Sequence, residues 1–441
     1  MTETLAAATP FAAELDDALA APQPDAVRRL RAEAAERFRT LGFPSTREEE
    51  WRFTNVAPVA RTRFVRAARG AHAALAGELA AHRLDGACEL VFVDGRFAPE
   101  LSARELPAGI AVDSLAALLA REPEAVAAVL GRQATFAEQP FLALSTALFE
   151  DGAVVRVAAR AVVETPIHLI FYSTAALEPT MSFPRTVILA GEAAQVTVVE
   201  RFTGAAGAVY LTCPVTELVA GPGAVVDHYK LQRESAAAFH LSGIAIETAR
   251  AANVSTHSFS LGGAIVRHDI RCVLAGEGSV ATMNGLYLVV DRQLVDTHMR
   301  VDHVAPHCDS HELYKGVLDG RARSVFSGRI HVHPGAQKTD AKQTNRNLLL
   351  SDEAVANSQP QLEIYADDVK CTHGSTVGQL DDEAVFYLRS RGIGLEAARS
   401  LLTYAFAADL VERVKLEPLR RELQEYLFAW VPQGEVVRDA V

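Results

Sequence analysis

From about Ala153 onward the chain repeats one short turn. Leu189-Ala190-Gly191, Val219-Ala220-Gly221, Glu247-Thr248-Ala249, Leu274-Ala275-Gly276, Leu318-Asp319-Gly320 and Leu350-Ser351-Asp352 follow one another at spacings of 30, 28, 27, 44 and 32 residues, by subtraction of their first positions. Several lead through small residues into a new β-branched run, such as Gln195-Val196-Thr197-Val198-Val199. A period of roughly 20–50 residues marks a solenoid or a propeller. One such unit cannot close its own core, so stacked neighbours must supply it. The runs are short, glycine-punctuated and free of tryptophan signatures, which favours a parallel β-helix over a propeller. The 44-residue gap is expected to hold an inserted loop or an extra strand pair. A β-sandwich with accidental spacing is the alternative.

The flanks read differently. Asp25 is a suitable N-cap for a helix with Val27, Leu30, Ala34, Phe38 and Leu41 on one face, stopped by Gly42 and Pro44. Leu90 to Val93 reads as a strand entering an Asp94-Gly95 turn. Leu115 to Leu130 reads as helix broken at Pro123. After Gly378 the pattern is helical again. Ala398, Leu401, Leu402, Ala405 and Phe406 share a face, Pro418 opens another helix, and Val436 to Val441 is expected to be a frayed tail. The expected organisation is a helical and mixed region over 1–150, a mainly β solenoid over 151–380 and a helical domain over 381–441.

Composition narrows the function. The 441 residues carry a net charge of −12 with no basic run, which disfavours nucleic acid as a partner. No stretch of about 18 apolar residues predicts a membrane span. The first twenty residues hold Glu3, Glu14, Asp16 and Asp17 rather than a basic start and an apolar run, so a cytoplasmic location is expected. Cys88, Cys213, Cys272, Cys308 and Cys371 are scattered, which argues against disulfides and against a zinc site made from sequence neighbours. There is no GxxxxGK[ST] phosphate loop and no GxSxG elbow.

Cys371-Thr372-His373 is the sharpest chemical candidate. In a strand, residues two apart face the same way, and a thiolate with an imidazole suits iron or an iron–sulfur cluster. The pair falls at the end of the repeat run, where a solenoid leaves unpaired strand edges. The alternative is a small buried thiol beside a hydrogen-bonded turn histidine. His303, His307, Cys308 and His311 cluster, but Pro306 and the surrounding strand pattern argue for a turn and hence a structural or solvated role. His331 and His333 would share one outer strand face. Asp367 and Asp368 are adjacent and point apart, so they cannot form the carboxylate pair of a β-helical carbohydrate enzyme. Asp381-Asp382-Glu383 reads as a helix cap.

Three long runs carry a resemblance: 336–341 with Asn345 to Leu350, Pro360 to Gly374, and Phe386 to Ile393. Together with Glu48 to Phe53 they resemble the SufD family of the SUF iron–sulfur cluster machinery. The related SufB family usually has a cysteine at its cluster site, in a stretch matching Asn345 to Leu350, and none stands there. The resemblance implies a right-handed parallel β-helix and a non-catalytic scaffold. It implies a heterodimer with SufB through the β-helix end, and the ATPase SufC on the C-terminal helices. It implies that a nascent cluster or iron is shared transiently with SufB, with His373 acting at that junction and Cys371 beside it as candidate metal ligands, and that no cofactor is tightly bound. Leu401, Tyr404 and Phe406, in the segment Ala398 to Val411, are the expected SufC contacts. A homodimeric iron or cluster chaperone is the nearest alternative.

Overall fold

The structure is a computed structural model and describes residues 11–68, 70, 72–102, 105–174 and 176–441. The first ten residues, Glu3 among them, lie outside that set.

Apart from the short strands Thr180–Ser182 and Tyr210–Thr212, which join sheet A at its side, successive strands of the solenoid alternate between two parallel sheets. Sheet A stacks Gly152–Val157, Arg185–Ala190, Val215–Ala220, Phe239–Thr248, Ile265–Leu274, Leu294–His303, Arg323–Val332 and Val355–Ile364. Sheet B stacks Ile167–Ser173, Gln195–Gly204, Val225–Arg233, Asn253–Ser260, Val280–Val289, Asp309–Leu318, Asp340–Leu349 and Lys370–Gly378. The result is a parallel β-solenoid of about eight turns, flanked by helices at both ends of the chain.

The 44-residue gap contains no inserted loop. It holds three strands, Val280–Val289, Leu294–His303 and Asp309–Leu318, where a single turn of the solenoid uses two. Leu274 closes a sheet A strand, whereas Leu318 closes a sheet B strand. The recurring turn therefore switches corners of the solenoid. Both corners need small residues, and so they look alike in sequence.

The early strands of each sheet are covered on both sides, which is why Ile167–Ser173 and Arg185–Ala190 read as nearly continuous apolar runs. Inward residues such as Val198, Val226, Val254, Ile270, Met299 and Ile330 fill the space between the sheets. The outer face of sheet A packs against the N-terminal region through Phe38, Trp51, Phe141 and Leu144. The outer face of sheet B takes the C-terminal helices through Tyr404, Leu410, Leu419, Leu423 and Leu427. Arg201 fastens that layer with a bidentate pair to Glu422, 2.6 Å on each arm.

Local expectations hold with two corrections. The helix Asp25–Leu41 begins after Pro24, so Asp25 is its first residue rather than its cap and pairs with Arg28 at 3.0 Å. Gly42 ends it at φ 65°, a conformation that only glycine adopts without strain. Strand Cys88–Val93 turns through Asp94 (φ 49°) and Gly95 (φ 79°) into Arg96–Phe97. Pro123 separates Leu115–Arg121 from Pro123–Ala127. The tail is not frayed: Gly434–Ala440 is a helix that buries Val437 against Leu427 and its neighbours. No helix among the described residues is long and apolar enough to cross a membrane.

Candidate functional site at the open end of the solenoid

The two ends of the solenoid are finished differently. At the start, sheet A is capped by the antiparallel strand Ile110–Ser114 on Gly152–Val157. Sheet B is capped by Cys88–Val93 with its hairpin partner Arg96–Phe97. At the far end, among the described residues, Val355–Ile364 pairs only with Arg323–Val332, and Lys370–Gly378 only with Asp340–Leu349. Both sheets thus stop in open edges, a state that invites another strand. The Lys370 N–H donates inward to Thr339 O at 2.8 Å. Alternate residues face the other way, so the N–H groups of Cys371, His373, Ser375 and Val377 point out along the free edge.

The register decides where the side chains go. Ala341 pairs with Cys371, Gln343 with His373, Asn345 with Ser375 and Asn347 with Val377. The four partners on Asp340–Leu349 are buried and face the lumen. Cys371 and His373 therefore also face the lumen axis, but no turn lies above them. Cys371 is half-buried and packs on the lumen core, while His373 is exposed. Burial pushes the Cys371 thiol above its usual range, and Asp340 and Glu312 push the same way. The mouth is ringed by exposed apolar residues: Val355, Ile364, Tyr365 and Val377.

The other histidine clusters are structural. His303 is buried, with Nε2 2.9 Å from Ser310 Oγ, and burial lowers its pKa to about 4. His307 sits in a left-handed turn at φ 58°, and the fully buried Cys308 thiol points to Gly276 O and Ser279. His311 lies on the next strand, so it shares no helix face with His307. The His331 and His333 rings meet on an outer face with centroids 4.4 Å apart, and His331 Nδ1 is 2.8 Å from Glu363. Among the described residues no group of three or more His, Cys, Asp or Glu is arranged to hold a metal. Asp368 is taken by Lys338, and Asp381 caps its helix by accepting from Glu383 N at 2.9 Å.

On the helix Leu395–Val411, Tyr404 faces inward and stacks on Phe428 at 4.7 Å between ring centroids. Leu401 and Phe406 are partly buried in the same layer. Lys315 reaches across to the Phe406 carbonyl (3.0 Å) and to Asp409 (2.5 Å). The exposed apolar surface lies instead on Phe386, 72% exposed, and Tyr387, 56% exposed, in the preceding helix Asp382–Ser390, with Leu395 nearby.

Two features escaped the sequence. One is the role of Glu48 to Phe53, which anchors the N-terminal region: Trp51 is buried against the outer face of sheet A. The other is a polar file inside the lumen. Glu200 accepts from Thr216 Oγ1 and contacts His228 Nε2, both at 2.8 Å, and His228 Nδ1 meets Thr256 Oγ1 at 2.9 Å. The only trace in sequence is a polar residue at alternate positions, as in Val226, His228, Lys230 and Gln232.

Comparison with known proteins places these features in a family. Residues 11–169 match the SufBD protein N-terminal region, and residues 171–406 match the SufBD core domain of SUF-system FeS cluster assembly. The chain is 35% identical to an iron–sulfur cluster assembly SufBD family protein of Synechocystis, over 90% of this chain and 89% of the relative. It is 33% identical to the iron–sulfur cluster assembly protein SufD of Escherichia coli, over 89% of this chain and 90% of the relative. A chloroplastic protein of Arabidopsis thaliana, ABCI7, is 27% identical over 95% of this chain. The chain belongs to the SufBD family of the SUF iron–sulfur cluster assembly system.

Proposed function

We propose that this chain is a non-catalytic scaffold subunit that supports assembly of nascent iron–sulfur clusters in the cytoplasm. It joins a SufB-type subunit through the open solenoid end and a SufC-type ATPase through its C-terminal helices. The observation that carries the reading is the uncapped end with Cys371 and His373 facing its mouth. Two ligating side chains make part of a coordination sphere. A partner edge laid against this one supplies the rest, and iron and sulfur are the cargo held between them. Exposed Phe386 and Tyr387 support an ATPase contact beside the helix Leu395–Val411, with Leu401 and Phe406 at its margin. ATP binding there would pull on the helices and open the junction.

Ser375→Pro tests the edge. It removes an outward N–H and leaves the bonds to Asp340–Leu349 in place. Mixed with a SufB-type subunit, the parent chain forms a heterodimer by mass and the variant does not. Equal heterodimer from both overturns the docking mode. A homodimer of the parent chain that a SufB-type subunit fails to exchange favours the chaperone reading instead. Turnover of a polysaccharide by the isolated chain would support a carbohydrate enzyme.

A further inference from the structure

Directly beneath the mouth, three lumen-facing side chains stand in one register row: Glu312 pairs with Gln343, and Gln343 with His373. Neighbouring strands lie about 4.8 Å apart, so each side chain is within reach of the next. Glu312 and Gln343 are almost completely buried. Neither carboxyl oxygen of Glu312, and neither polar atom of the Gln343 amide, has a hydrogen-bond partner among the described residues. Ser310, on the same strand as Glu312, lies 2.9 Å from His303 Nε2 and is close enough to Glu312 to offset part of the rise that burial causes in its carboxyl. Met283 lies below Glu312 in register, Gly328 leaves the space that the Gln343 amide occupies, and the buried Tyr314 hydroxyl, two residues along the strand from Glu312, is a further donor without a partner among the described residues.

Four unpaired polar atoms in adjacent buried side chains cost stability unless they pair with one another. A protonated carboxyl donates one hydrogen bond, and a primary amide both accepts and donates. One chain of bonds running along the row uses this inventory. Glu312 O–H donates to Gln343 Oε1, and Gln343 Nε2–H donates upward to a ring nitrogen of His373.

We propose that Glu312 and Gln343 form a relay inside the solenoid that fixes the tautomer and ring orientation of His373. Both are positioning residues, and they present the other ring nitrogen of His373 outward at the mouth. Burial raises the Glu312 carboxyl to about 8, which keeps it a donor at neutral pH. The relay is a property of the isolated chain. Its use in cluster assembly rests on the function proposed above.

The test is the ring ¹⁵N spectrum of His373 in the full-length, histidine-labelled chain, assigned by loss of its signals in His373→Ala. Glu312→Leu and Gln343→Leu should each shift His373 toward a mixture of the two tautomers. Glu312→Gln still has an amide N–H to donate and should keep the parent pattern. The buried His228 and His268 resonances report whether each variant is folded. Folded leucine variants with the parent His373 pattern overturn the relay, as does a parent spectrum that already shows mixed tautomers. Cluster assembly by a His373→Ala chain would remove the functional reading and leave the spectroscopic result standing, so the two failures are distinguishable.

Discussion

The Arg267 guanidinium lies 3.8 Å from the centroid of the Trp51 ring and donates to Asp296 Oδ2 at 2.6 Å. This contact holds the N-terminal region on the outer wall of sheet A. Arg267 also pairs with Asp269 at 2.8 Å and donates to the Glu50 carbonyl at 2.9 Å, and Thr54 Oγ1 donates to Asp296 at 2.5 Å. A cation desolvated over tryptophan gains about 2 kcal/mol. Asp296 is fully buried, and Arg267 is its main counter-charge.

Arg267→Ala strands that carboxylate and should destabilise the fold by about 3–5 kcal/mol. Trp51→Ala should cost a similar amount through lost packing. Denaturant unfolding of both variants checks this. A loss below about 1 kcal/mol for either would mean that the anchor is incidental.

His298 makes the same anchor sensitive to pH. Burial lowers its pKa, but Asp296 at 3.1 Å and Glu50 at 2.8 Å more than offset this and hold it at about 9, against the opposing charge of Arg267. The pKa is higher folded than unfolded. The stability it contributes is therefore complete below about 6.5 and lost as pH rises to about 9, with a ceiling of roughly 3 kcal/mol. Arg329, 3.9 Å from Glu50, is the other cation nearby and does not titrate in this range. The slope of stability between pH 6.5 and 9 should flatten in His298→Gln.

Glu312 contributes with the opposite sense. Its carboxyl is raised to about 8 by burial, so the unfolded chain ionises first. Stability falls as pH climbs from about 4.5 to 8. Glu312→Gln removes this loss and should stabilise the protein at pH 7 by roughly 3 kcal/mol. Thermal unfolding at pH 5 and pH 7 should show the gain at pH 7 and little change at pH 5.

Phe386 and Tyr387 pack against little of their own chain. Replacing both with serine should change stability by less than about 0.5 kcal/mol each. Co-purification with a SufC-type ATPase should nonetheless be lost. Retained binding would return the contact to Leu401 and Phe406.

Much of this architecture is legible in the sequence, because every turn of a solenoid must make a tight corner. The Leu274 and Leu318 turns show the limit: they lie at different corners, yet both require small residues. Cys371 and His373 were legible as a same-face pair because strand alternation sets their relation. Glu312 and Gln343 were not. Polar residues stand on both faces of Asp309–Leu318 and Asp340–Leu349, so alternation does not reveal which face is the lumen, and only the stacking register aligns residues some 30 positions apart. Tyr404, expected among the SufC contacts, is buried, because the helix Leu395–Val411 packs on more than one side. The exposed apolar pair stands on the short helix before it.

The central claim is that the solenoid's open end is where this chain contributes to cluster assembly, through His373. The direct measurement is complementation by His373→Ala in a cell that depends on the SUF system, with recovery of the SufB–SufC complex measured alongside. The account expects the complex to form normally while activity of iron–sulfur enzymes falls to near that of a strain lacking the chain. Full restoration of those activities by the variant would contradict it.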